Sequence, residues 1–177
     1  REAEIEGVFA SPINVTIDEA VLDKVPFFSG RVVRGVKNGP SPEWLQKRLR
    51  AIGLRPISTL VDITNFFTYD LNRPLHVFDV AKVHGDLRLR AAAAGETIVA
   101  LDDKEYSLPE GAIVIADDNG VESICGILVG AASGSQLDTT DVFIEAAFFD
   151  PISTAKTGRA LKINSDARYR FERGIDP

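Results

Sequence analysis

The stretch "DVFIEAAFF", residues 141–149, constrains this chain more than any other. It has strand length and carries apolar side chains at both alternating positions, which is how a central strand covered on both faces reads. A fold containing it needs a sheet with one layer above and another below. In its middle stands Glu145. An unsatisfied polar group in such a place costs roughly 1–3 kcal/mol, and an unpaired charge more. Either an internal arginine or lysine pairs with it, or the carboxyl group is kept for a ligand.

From Asp86 onward the runs "LRLRAAA", "TIVAL", "AIVIAD" and "VESICGILVG" also alternate or stay apolar at strand length. Asn119-Gly120 between two of them is the strongest hairpin signal, since both residues tolerate the positive φ of a two-residue primed turn. The earlier half differs. "INVTI" and "GRVVRGV" read as short extended pieces. "SPEWLQKRLRAIG" predicts a helix with Ser41 as N-cap, Pro42 at its start, Leu45, Leu49 and Ile52 on one face, and Gly53 at its end. "ISTLVDITNFFTYDL" predicts a second helix, capped by Ser58 and stopped before Asn72-Arg73-Pro74. After Pro151 the chain returns to helix in two short segments divided near Asn164.

These elements predict an α+β fold of mixed, largely antiparallel sheets with flanking helices, one compact module of two interleaved halves. Its parts are an entry segment (1–26), a strand with two helices (27–80), a sheet-rich part (81–150) and a helical basic tail (151–177).

Charge and composition exclude several classes. The 177 residues are 45% apolar, enough for a substantial core and against disorder. A net charge of −6 gives no reason to expect autonomous, nonspecific nucleic-acid binding, so any such contact must be local. One cysteine, Cys125, and two histidines cannot form an internal disulfide or a zinc spacing, so no metal site is expected, and a reducing, cytoplasmic setting fits. No apolar run reaches membrane-spanning length and the opening "REAEIEG" has no signal-peptide character, so no membrane partner is expected. Methionine is absent, and the chain reads as a piece of something longer.

Three further features stand out. His76, in "RPLHVFD", is either a core histidine with backbone partners or a site residue. Thr64 lies on the apolar face of the second helix and Asn65 toward the Asp62 side, each of them compatible with a purely structural role. The segment "TAKTGRALKINSDARYRFERGIDP" is the only dense basic stretch. It could hold phosphates and stack a base, or Arg170 and Arg173 could pair with Asp166 and Glu172. The glycines of "CGILVGAASGS" match neither a phosphate loop nor a dinucleotide fingerprint, and Ser133 does not sit in a nucleophile elbow.

Taken in order, "GRVVRGV", "LRPISTLVDITNF", "RPLHVFD", "CGILVG", "FIEAAFFDP" and "SDARYRFERGIDP" resemble the editing module in the beta subunit of bacterial phenylalanyl-tRNA synthetase, from about Phe27 to Pro177. The resemblance implies hydrolysis of tyrosine wrongly esterified to phenylalanine tRNA. An apolar pocket built for phenylalanine rejects an added hydroxyl only about 10²-fold, whereas a site that must bond the hydroxyl discriminates far better. By the same resemblance Glu145 reads the phenol. His76, Thr64 and Asn65 are the catalytic set near the ester and its water, Ser165 and Ala167 line the mouth, and Gly126, Val129 and Gly130 form a wall.

Two positions depart from the pattern: Val129 stands where a second glycine is frequent, and Ser165 where threonine is common. The implied partners are the tRNA 3′ end carrying tyrosine, the catalytic alpha subunit and the remaining beta-subunit domains. No cofactor belongs to this domain, and the parent enzyme would use ATP and magnesium elsewhere. The competing readings are a non-catalytic structural or tRNA-docking module of the same synthetase and a freestanding amino-acid-binding module.

Overall fold

The computed structural model describes residues 5–175. At its centre is the strand expected from the sequence, β10 (Val142–Phe148), the last of the described strands in chain order. It is flanked by β2 (Phe27–Val33) and β3 (Leu75–Asp79), both antiparallel, in a three-stranded sheet. A second sheet has the order β1 (Val15–Ile17), β4 (Leu87–Ala91), β7 (Ile113–Ala116), β8 (Val121–Ile124), β9 (Leu128–Val129). Only β1 pairs in parallel, with β4. The hairpin of β5 (Thr97–Val99) and β6 (Glu105–Ser107) stands apart.

The two larger sheets face each other. Between them lies the main core, in which Phe78, Phe143 and Ala147 of one sheet meet Leu87, Leu89, Ile113, Ile115 and Cys125 of the other. The far side of the five-stranded sheet, with Val114 and Ile124, is closed by Ile98 and Leu108 around the β5–β6 hairpin. The far side of the three-stranded sheet, with Val77 and Val142, is closed by Leu60 of the second helix. Alternation along β10 thus sends residues 143, 145 and 147 into the main core and residues 142 and 144 to the helical side, as a doubly covered strand requires.

The helices follow their sequence signals with instructive exceptions. The first, α1 (Glu43–Ala51), begins after Pro42, but Ser41 does not cap it: its hydroxyl donates instead to the Asp62 carboxylate. Leu45 and Leu49 are buried as expected, whereas Ile52 is 53% exposed. Gly53 takes the left-handed conformation, φ +84°, that ends the helix. The second, α2 (Thr59–Asp70), starts at Ser58 without a side-chain cap bond. It stops at left-handed Asn72 before the proline turn. In the tail, α3 (Pro151–Leu161) and α4 (Asp166–Phe171) are parted by left-handed Lys162. The β7–β8 turn is a second correction. Asp118 and Asn119 form its tip, closed by an Asp117 N–H to Gly120 carbonyl bond, while the Asp117 carboxylate accepts from the N–H groups of Asn119 and Gly120. Asn119 therefore needs no positive φ.

Candidate functional site

Glu145 occupies the middle of β10, opposite Gly30 on one neighbouring strand and His76 on the other. Residues directly opposed in antiparallel pairs project from the same face, so the carboxyl group and the imidazole stand side by side, both toward the main core. Gly30 leaves the other flank open, and the Phe143 ring fills it: a Cβ at Gly30 would lie 2.1 Å from that ring. His76 meets Phe78 edge to face, with centroids 4.2 Å apart.

Neither polar group is satisfied by the fold. Oε2 of Glu145 and Nε2 of His76 are buried without a hydrogen-bond partner, and among the described residues no arginine or lysine forms an ion pair with Glu145. The internal ion pair that would have explained Glu145 structurally is therefore not what this sheet contains. Glu145 is 7% exposed, and burial raises its pKa to about 8, so it is an uncharged acid at neutral pH. Burial lowers the pKa of His76, half-buried as a residue but enclosed at Nε2, to about 3, so the imidazole is neutral too. The pair is uncharged between those two values. On the facing side of the main core, burial first and then the field of Glu145 push the Cys125 thiol well up. Sequence reading used this residue only for redox inference. Its position directly before Gly126 was the available signal.

The other expected residues surround this pair at different distances in the fold. Helix α2 starts on the reverse face of the sheet, at Leu60, and by Thr68 and Tyr69 reaches α4, where Arg170 Nε donates to the Thr68 carbonyl at 2.9 Å and the guanidinium lies 4.5 Å from the Tyr69 ring centroid. Thr64 and Asn65 lie on the turn between, half-buried. The Thr64 hydroxyl donates to the Val61 carbonyl at 2.8 Å, and the Asn65 amide makes no hydrogen bond among the described residues. No hydrogen bond joins either of them to His76 or Glu145.

Ser165 caps α4, accepting from Arg168 N–H, and donates to the Ile127 carbonyl at 2.5 Å, while Ala167 packs on the main core. That bond fastens α4 to the β8–β9 turn. There Gly126 is left-handed (φ +71°), and a Cβ would press within 3.1 Å of Phe171. The register Ile115 to Ser123 to Val129 turns Val129 toward the three-stranded sheet. Gly130 turns away: a Cβ there would meet Ile98 of the outer cluster at 3.3 Å and the Glu122 carbonyl at 2.9 Å.

Three of the four guanidiniums in the basic tail are engaged within the domain. Buried Arg168 bonds Glu172, the Ile163 carbonyl and Asn164. Arg170 approaches Asp166 at 3.6 Å, and Arg173 reaches Glu172 at 3.1 Å. Two further side-chain atoms, Glu122 Oε2 and Ser133 Oγ, are buried with no partner in hydrogen-bond geometry, and neither residue was marked as a site in the sequence. No group of residues suited to a metal ion occurs among the described residues, and no described helix is long and apolar enough to cross a membrane.

Known proteins agree with this architecture. The chain is 62% identical over 175 residues to the phenylalanine–tRNA ligase beta subunit of Ruegeria pomeroyi, covering 99% of this chain and 22% of that protein. The same subunit of Cereibacter sphaeroides is 62% identical, with 98% and 22% covered. The chain thus spans about a fifth of the length of these relatives. The crystal structure of an N-terminal fragment of the phenylalanyl-tRNA synthetase beta-subunit from Pyrococcus horikoshii shares the fold, with a TM-score of 0.61 at 18% identity over 81% of this chain and 45% of that one. The family model described as the B3/4 domain matches residues 24–177. With doubly covered β10, its flanking sheets and this match in agreement, the chain belongs to the B3/4 domain family, in the form found in phenylalanine–tRNA ligase beta subunits.

Proposed function

We propose that this domain hydrolyses the ester of tyrosine mischarged onto phenylalanine tRNA, as the editing part of a cytoplasmic ligase whose alpha subunit and remaining beta-subunit domains carry aminoacylation. The single observation that carries this reading is the unsatisfied, uncharged Glu145 carboxyl group with neutral His76 beside it. A neutral acid can accept from a phenol O–H and donate back to it without burying a charge. Tyrosine satisfies it, and phenylalanine leaves it orphaned, which is the asymmetry that discrimination requires.

The register puts His76 beside Glu145, so the two form one polar end of the site. With its pKa lowered to about 3, the imidazole is a poor base at neutral pH, and its contribution is to hold the phenol or a water in place. By the family resemblance the ester end, one tyrosine length from Glu145, and its attacking water fall to Thr64, Asn65 and the Ser165–Ala167 end of α4. Hydrolysis then proceeds by positioning that water and stabilising the developing oxyanion, without a covalent nucleophile.

The test is Glu145→Gln and Glu145→Ala in the complete heterodimer, assayed for deacylation of Tyr-tRNA and Phe-tRNA. We expect the rate on Tyr-tRNA to fall on the order of 100-fold or more for Ala, with Gln retaining more because its amide still bonds a phenol. Unchanged deacylation in both variants would overturn the reading. It would favour the second one, a non-catalytic module of the same subunit, which draws on the internal pairing of Arg168, Arg170 and Arg173.

A further inference from the structure

The Arg170 guanidinium touches both segments that the editing reading assigns to the ester end, α2 beyond Thr64 and α4 around Asp166. Nε donates to the Thr68 carbonyl at 2.9 Å. Nη1 donates to the Asp166 carbonyl at 2.9 Å and lies 3.6 Å from Asp166 Oδ1, and the group sits 4.5 Å from the Tyr69 ring centroid. Asp166 stands between Ser165 and Ala167. Thr68 stands one helical turn beyond Thr64 and is tied to it, its hydroxyl donating to the Thr64 carbonyl at 2.7 Å.

The contact is chemically specific. Thr68 is among the last four residues of α2, whose carbonyls have no N–H of their own helix to accept from. The Phe67 carbonyl takes the N–H groups of Leu71 and Arg73, whereas that of Thr68 takes Arg170. A cation there also meets the negative end of the helix dipole. Hydrophobic packing does not make this junction: Leu60 of α2 belongs to the cluster of Val77 and Val142, and Ala167 and Phe171 of α4 belong to the main core. The Arg170 side chain is 12% exposed, against 54% for Arg173, so its donors are turned to the two helices and not to a phosphate.

We propose that Arg170 is a positioning residue for the ester hydrolysis. It fixes the separation of the Thr64–Asn65 turn and the Ser165–Ala167 end of α4, so that groups on two elements, joined across 102 positions of sequence, address one ester and one water. The planar fork suits this role, because Nε and Nη1 hold two helices in one rigid geometry that the ammonium of a flexible lysine does not reproduce. The inference rests on the editing reading.

The test uses the complete heterodimer with Arg170→Lys, which keeps the charge and loses the fork, and Tyr69→Leu, which removes only the ring beside the guanidinium. Amide hydrogen exchange reads the junction, and Tyr-tRNA deacylation kinetics read the chemistry. We expect Arg170→Lys to exchange about 10-fold faster than wild type over residues 64–72, with the Asp62-anchored start of α2 unchanged. We expect its deacylation kcat to fall on the order of 10-fold with KM within about 2-fold of wild type, and Tyr69→Leu to move both readouts the same way by less. In an Asn65→Ala background the Arg170→Lys effect on kcat should shrink to about 2-fold, since a group it positions is gone, whereas in a Glu145→Gln background it should persist in full. Unchanged exchange overturns the junction. Faster exchange with unchanged kcat overturns the positioning role and leaves the editing reading standing. A salt-dependent rise in KM at constant kcat also overturns it, by assigning Arg170 to the tRNA backbone. Unchanged deacylation in the Glu145 variants would instead fail the editing reading, and this inference with it, whatever the exchange shows.

Discussion

Two buried carboxyl groups in this domain have opposite surroundings. Asp62, fully buried on α2, accepts from the Ser41 hydroxyl and, at 2.8 Å, from the Ile57 N–H, so one side chain ties together the start of α1, the interhelix loop and α2. Glu145, almost as buried, has no partner for Oε2 among the described residues. An acid kept for architecture acquires its donors from its own fold, and an acid kept for a ligand is left short of them. On the proposed reading, Asp62 is the first kind and Glu145 the second.

The largest effect that would break this comparison is electrostatic. Because the folded pKa of Glu145 is raised to about 8 above an ordinary 4.5, its contribution to folding is fully present below about 4.5 and is lost as pH rises through 8. Glu145→Gln should therefore gain stability over wild type with rising pH, up to about 5 kcal/mol at pH 9, read by urea unfolding. His76 runs the other way: with its pKa depressed to about 3, its contribution is present above 6.5 and lost as pH falls toward 3. A His76→Gln variant should lose less stability than wild type between those values. A Glu145→Gln curve parallel to wild type across the alkaline range would mean the acid is satisfied after all.

Asp62→Ala comes next, with an expected loss of about 3 kcal/mol in the same assay, since it orphans the buried Ser41 hydroxyl and removes the partner of the part-buried Ile57 N–H. A loss below 1 kcal/mol would remove Asp62 from the structural side of the comparison. Gly30→Ala should cost about 1–3 kcal/mol, because its methyl group enters the Phe143 ring. Editing should fall with it as that ring is driven toward Glu145. The smallest effect belongs to Thr64→Val, whose hydroxyl bonds only a local carbonyl: a stability change within about 0.5 kcal/mol, leaving any loss of deacylation to be read as chemistry.

Local chemistry was legible in the sequence, and partners at a distance were not. The alternation around Glu145 identified a doubly covered strand and its anomalous acid, since burial pattern is written residue by residue. That His76 lies opposite Glu145 depends on the pairing of β3 with β10, 69 positions apart, which no local pattern encodes. Ser41 had the right identity for a helix cap but donates to Asp62, 21 residues on. Asn119-Gly120 announced a turn, yet the Asp117 carboxylate shifted its tip by one residue. Ile52 followed the helical period to a face that this domain leaves open.

The order in which strands join has a consequence for synthesis. β1 can enter its sheet only beside residues 87–89, and β2 finds its partner only when residues 142–148 exist. During synthesis the five-stranded layer cannot close before residue 129 nor the three-stranded one before residue 148, whereas the β5–β6 and β7–β8 hairpins pair locally and earlier. Until then the greasy strands at the beginning wait unpaired, exposed to chaperones and to one another.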